Sequence, residues 1–136
     1  MRILIDTNIL ISAALFPQSV PAQAYMKAAT PPHDAVVCDY SMDELRRVYN
    51  RKFPHRIQDF ERFVSVLALS VEVVATPPKE KQAQNENMIR DVKDRPILRA
   101  AVAARVDVLL TGDKDFLESG ITIPKIMTAA EILYMI

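Results

Sequence analysis

The sequence predicts an α/β domain built on a parallel sheet that is covered by helices on both faces. Three observations carry this. Short apolar runs such as Ile3–Leu4–Ile5 alternate along the chain with longer helix-like stretches. Runs of this kind have no polar position, as is typical of strands buried on both faces. Pro17, Pro21, Pro31–Pro32 and Pro77–Pro78 fall between the periodic segments, where proline is tolerated.

Arg2–Asp6 reads as the first strand, followed by helices over Asn8–Leu15 and Pro21–Ala29. Ala35–Asp39 is the second strand and leads into helices over Met42–Phe53 and Ile57–Leu69. Val71–Ala75 is the third strand. Lys79–Lys93 is polar and weakly patterned, either a short helix or a mobile loop. Arg95–Arg105 is the clearest helix, because Ile97, Leu98, Ala101 and Val102 make one apolar face at helical spacing. Asp107–Thr111 and Thr122–Met127 supply the fourth and fifth strands, and Ala129–Met135 closes the chain as a helix. With no repeat, low-complexity segment or long linker, residues 1–136 read as a single domain.

A chain of 136 residues, 50% of them hydrophobic, is long enough to bury a real core. No apolar stretch reaches the roughly 18 residues that a membrane span needs. Asp6 interrupts the first apolar run and no basic leader precedes it, so a signal peptide is not expected. Cys38 is the only cysteine, which excludes an internal disulfide and predicts a cytoplasmic, reducing environment. Lys and Arg together number 17, as do Asp and Glu, so whole-chain charge gives no pull toward nucleic acid. The two glycines, Gly112 and Gly120, are too few for a Gly-rich phosphate loop.

The acids have a positional pattern. Asp6 ends the first strand, Glu44 opens the helix after the second, Asp94 opens the helix before the fourth, and Asp113 follows the fourth in "LLTGDKDF". Ligands of open parallel sheets bind just beyond the carboxyl ends of the strands, where strand order reverses. Each acid also has a plain structural explanation. Ser41 with Glu44 spells a capping box; Asp94 and Asp6 suit helix N-caps; Asp113 and Asp115 flank Lys114 as turns favour. Four caps need not gather at one edge, however. Carboxylates crowded together raise one another's proton affinity unless a cation relieves them. An all-oxygen set without His or Cys suits Mg²⁺ or Mn²⁺ rather than Zn²⁺. His33 and His55 lack ligand spacing and read as surface residues, and Cys38 reads as core.

Taken together, "LIDTNIL", "SMDELRRV" and "DVKDRPILRAAVAARVDVLLTGDKDF" resemble the PIN-domain ribonucleases, in particular the VapC-like toxins of type II toxin–antitoxin systems. The likeness covers nearly the whole chain. It implies a three-layer α/β/α fold with a parallel five-stranded sheet, and a metal-dependent endonuclease cutting single-stranded RNA. By matching motif, Asp6, Glu44, Asp94 and Asp113 are the implied catalytic acids and ligands of one or two Mg²⁺ or Mn²⁺ ions. Asn8 and Thr111 would orient the acids or a bound water, with Asp115 auxiliary. Asp91, one turn earlier, competes with Asp94 as third acid; Asp94 is preferred for its register with the "ILRAA" helix. The chain departs from the family pattern at Arg95–Pro96, where a cation can pair with Asp94 or contact RNA.

Arg46, Arg47, Arg51, Lys52 and Arg56 lie close after Glu44, and Arg90, Lys93, Arg95 and Arg99 flank the third acid. Singly each reads as a solvated helix face; as groups they can steer RNA phosphates, with Arg46, Arg47 and Arg95 the leading candidates. The resemblance also implies a cognate antitoxin protein and a homodimer as partners. Other readings are an RNA-maturation or decay nuclease without an antitoxin, and a metal-free binding module. A receiver-like phosphoacceptor domain needs paired acids after the first strand, whereas Asp6 precedes Thr7–Asn8.

Overall fold

The computed structural model describes residues 1–135. Five strands, β1 (Arg2–Ile5), β2 (Asp34–Cys38), β3 (Glu72–Val74), β4 (Val108–Leu110) and β5 (Lys125–Met127), form one sheet in the order β3-β2-β1-β4-β5. Every neighbouring pair is parallel. Among the described residues seven α-helices accompany them: α1 (Thr7–Leu15), α2 (Val20–Ala28), α3 (Asp39–Lys52), α4 (Ile57–Ser70), α5 (Arg95–Ala103), α6 (Lys114–Leu117) and α7 (Ala129–Tyr134).

Side chains alternate across a strand, and the sheet has a core on each face. Ile3, Ile5, Ala35, Val37, Val108 and Leu110 pack with Leu10 of α1, Tyr25 of α2, Leu45 and Tyr49 of α3, Phe60 and Leu67 of α4, and Ile132 of α7. Leu4, Val36, Cys38 and Leu109 point the other way, onto Ile97, Leu98, Ala100 and Ala101 of α5 and Phe116 of α6. This is the three-layer α/β/α architecture. Each fully buried Leu or Ile contributes about 1.5–3 kcal/mol, so α5, with Ile97 and Leu98 both at 1% exposure or less, is firmly held.

The chain runs outward from β1 to β2 and β3, then crosses back to β4 on the other side of β1. Strand order therefore reverses between β1 and β4, and in open α/β sheets ligands bind at the carboxyl ends of the strands at such a point.

Several boundaries differ from the sequence expectations. Helix α3 begins at Asp39 rather than Met42, which places Ser41 inside it. The capping-box reading of Ser41 and Glu44 does not hold: the N-cap is Cys38, with no side-chain cap bond. Ser41 is instead buried, accepting from the Cys38 thiol at 3.3 Å. The start of α3 is fastened by Asp39, whose Oδ1 accepts from the Thr76 amide at 2.9 Å and hydroxyl at 2.6 Å. The true capping box lies at α7, between Thr128 and Glu131. The fifth strand starts at Lys125, not Thr122.

Lys79–Lys93 contains no α-helix. Short 3₁₀ turns occupy Lys79–Lys81, Glu86–Met88 and Val92–Asp94. The segment is pinned to α5 by a buried bidentate ion pair in which Arg99 donates through Nε and Nη2 to Glu86 at 3.0 and 2.8 Å. Ile89, fully buried, adds an apolar anchor. Arg99 is therefore not one of the RNA-steering cations that its place near the third acid suggests, since its side chain is only 8% exposed and committed to Glu86.

Candidate active site

Asp6 follows β1 directly, at the N-cap of α1, and is 3% exposed. Its two oxygens have separate partners. Oδ1 accepts the Thr7 amide at 2.8 Å, and Oδ2 accepts the Thr111 hydroxyl at 2.7 Å. Thr111, fully buried beyond β4, also accepts the Asp113 amide on the same hydroxyl oxygen at 3.0 Å. One hydroxyl thus ties together the acids that follow β1 and β4. Asp113 in turn caps α6, its Oδ1 accepting from the Asp115 amide at 2.9 Å. Each bonded carboxylate oxygen keeps a second lone pair for a further partner.

Asp94 arrives from the third direction, at the N-cap position of α5, where it makes no cap bond. Its Oδ2 is buried without a hydrogen-bond partner. An orphaned buried carboxylate oxygen is costly unless protonated or bound by a cation. Asp91, one turn earlier, caps the Val92–Asp94 turn by accepting the Lys93 amide at 3.0 Å. That turn folds Asp91 back beside Asp94. One oxygen from each of Asp91, Asp94 and Asp115 lies within 4.8 Å of the others, a spacing that can hold a metal ion.

Electrostatics joins the two groups of acids. Burial pushes the Asp6 carboxyl up to about 6, against the hydrogen bonds from Thr111 and Thr7 that favour its charge, and the charges of Glu44 and Asp113 push it further. Asp94 is pushed up to about 8, first by burial, then by Asp113, then by Asp6 and Asp91. Glu44 sits half-buried on α3, near enough to Asp6 to contribute to this crowding. Glu44, Asp113 and Asp91 thus bear on Asp6 or Asp94 at the carboxyl ends of β1 and β4, and Asp115 meets Asp91 and Asp94 from α6.

Asn8 is exposed in the first turn of α1. Arg46 is exposed, with its guanidinium 5.6 Å from the centre of the Phe60 ring. Arg47 is exposed on the same helix and acts on Tyr40 at the site's edge. Arg95 is half-buried; its Nε donates to the Ile89 carbonyl at 3.0 Å, and among the described residues it forms no ion pair with Asp94. The cation that does enter the acidic group is Arg90, paired with Asp115. Tyr40 went unnoticed in the sequence. Its hydroxyl donates to the Lys93 carbonyl at 2.9 Å, and its own proton is held by burial and by the charges of Glu44 and Asp94. Nothing in its sequence context marks it, because the contact spans 53 residues.

The PIN domain family profile matches residues 2–115. No curated protein matches the chain in sequence. Among solved structures, the chain is similar to one in VapBC2 from Rickettsia felis bound to a DNA fragment from their promoter, at 16% identity and a TM-score of 0.69, covering 94% of this chain and 98% of that one. It is also similar to VapC20 of Mycobacterium tuberculosis, described as a sarcin–ricin loop cleaving toxin, at 16% identity and a TM-score of 0.61, covering 88% and 95%. At such identities these two structures speak for the fold alone, and it is the family match over most of the chain, on the α/β/α scaffold described above, that shows the chain belongs to the PIN domain family.

Proposed function

We propose that the protein is a Mg²⁺- or Mn²⁺-dependent endoribonuclease that hydrolyses single-stranded RNA, with Asp6, Glu44, Asp94 and Asp113 as its catalytic acids. The observation that carries the reading is the buried, partnerless Asp94 oxygen inside a group of carboxylates whose charges raise its proton affinity. Such a group fits a hard divalent cation by its donor chemistry. When bound, the ion supplies a neutralised phosphate and a water of lowered pKa.

The chain's own residues do the positioning. Thr7 and Thr111 hold the Asp6 carboxylate in one orientation. Asp94 brings its free oxygen from the α5 terminus, and Asp113 brings a second carboxylate from beyond β4. Glu44 completes the ring from α3, directly or through water. In the reaction, water oxygen bonds to phosphorus, the bond to the 3′-oxygen breaks, and that oxygen takes up a proton. The products are a 5′-phosphate and a 3′-hydroxyl.

We further propose, on the likeness to VapC toxins, that the chain is the toxin of a toxin–antitoxin pair. A groove between α1, α2 and α4, lined by Ala14, Met26, Phe63 and Val66 around a cavity of ≈ 290 Å³, is an apolar surface that an antitoxin segment can cover. Met26 and Val66 there are 59% and 60% exposed. The deciding experiment is incubation of a mixed RNA pool with purified protein in Mg²⁺, Mn²⁺ or EDTA, with the ends of the fragments mapped. Cleavage that needs the ion and leaves 5′-phosphates supports the proposal; full activity in EDTA refutes it.

A further inference from the structure

Beside the acids lies a smaller feature that the hydrolytic step does not by itself require. A cavity of ≈ 120 Å³ is lined by Met88, Arg90, Lys114, Asp115, Glu118 and Ser119. It has room for waters or a phosphate group. Asp115 belongs to both places, since it also lies among Asp91 and Asp94. The cavity therefore opens one side chain away from the acidic group.

Its donors are cationic. Arg90 Nε and Nη2 both donate to Asp115 Oδ1, at 3.0 and 2.5 Å, while the Arg90 side chain remains 81% exposed. A guanidinium carries five N–H donors, so three are left for an incoming acceptor after these two bonds. Lys114, exposed at the first position of α6, adds a second cation, an ammonium. Ser119 adds nothing, because its hydroxyl donates to the Phe116 carbonyl and accepts from the Ile121 amide. Two cations face two carboxylates, Asp115 and Glu118, so the lining is neutral. Binding there rests on directional donors rather than on bulk attraction, which suits a singly charged phosphodiester better than a free dianion.

We propose that Arg90 and Lys114 form a subsite for a backbone phosphate of the RNA strand, adjacent to the phosphate that lies at the acids. The subsite rests on the nuclease reading and adds register to it. A strand gripped at two successive phosphates is held in line with the carboxylates whatever its bases, because phosphate contacts position without reading sequence.

The test is fluorescence anisotropy of a labelled single-stranded RNA with the full chain in EDTA, over a series of salt concentrations, alongside cleavage in Mn²⁺. Arg90→Gln and Lys114→Gln should each weaken binding about tenfold. Each should also lower the slope of log affinity against log salt by about 0.7, the loss of one phosphate contact on a single strand. Lys125→Gln, an equal charge change at the start of β5, should leave both unchanged. A purely structural role for Arg90 would not move the salt slope. If wild type cleaves RNA while both variants keep its affinity and slope, the subsite is overturned and the nuclease reading stands. If wild type neither binds nor cleaves RNA, both fall.

Discussion

Asp94→Asn tests whether the acids crowd one pocket or merely cap their helices. The Asp94 carboxyl is pushed from 3.8 up to about 8 by burial and by Asp113, Asp6 and Asp91. The native protein therefore holds a proton near pH 6 that the unfolded chain releases. By linkage, the Asp94 contribution to metal-free stability falls as pH rises from about 4 to about 8 and levels off above that. At about 1.4 kcal/mol per pH unit, the full displacement sets a ceiling of roughly 5–6 kcal/mol. Asp94 is partly exposed, and screening by solvent brings the figure to about 2–3 kcal/mol. Asn keeps the shape, cannot ionise, and can donate to the Asp113 carboxylate. In EDTA at pH 8, Asp94→Asn should therefore melt higher than wild type by roughly 6–12 °C. The gap should close toward about pH 3, where the wild-type carboxyl is mostly protonated in both states. Melts followed by circular dichroism across that range decide it. A variant that melts lower than wild type at pH 8, or a gap that does not change with pH, would refute the reasoning and return Asp94 to an ordinary structural role.

Three further outcomes are expected. Thr111→Val removes the donor to Asp6 and the acceptor for the Asp113 amide, and should cost about 1–3 kcal/mol in urea titrations while raising the pH at which Asp6 ionises. Arg99→Met strands the buried Glu86 carboxylate and should cost about 3–5 kcal/mol by chemical denaturation; adding Glu86→Leu should recover most of it. In RNA cleavage with Mn²⁺, Asp94→Asn should abolish activity while Asp91→Asn stays within a few-fold of wild type, and the reverse result would move the third acid one turn upstream.

The strands were legible because burial on both faces leaves a plain mark: Ile3–Leu4–Ile5 and Ala35–Val36–Val37–Cys38 have no polar position to confuse the reading. Helix α5 was legible for the complementary reason, a clean apolar stripe. What escaped the sequence are contacts between segments far apart in it. Ser41 and Glu44 have capping-box spacing, yet α3 starts earlier because Asp39 binds Thr76, 37 residues away. Arg99 reads as one of several basic residues near an acid, yet Glu86 buries it.

The choice between Asp91 and Asp94 shows the limit most clearly. A helical register distinguishes residues one turn apart only if the turn is helical throughout. Here Val92–Asp94 is a 3₁₀ turn that Asp91 itself caps, and it brings both carboxylates to Asp115. The two acids still differ in setting, since Asp91 is exposed with an oxygen already spent on the Lys93 amide, whereas Asp94 has a buried oxygen with no partner. A carboxylate in water has little to gain from a cation, and a buried one without a hydrogen bond has much to gain. The preference for Asp94 as the third acid therefore rests on desolvation, a property of the folded chain, and spacing alone does not carry it.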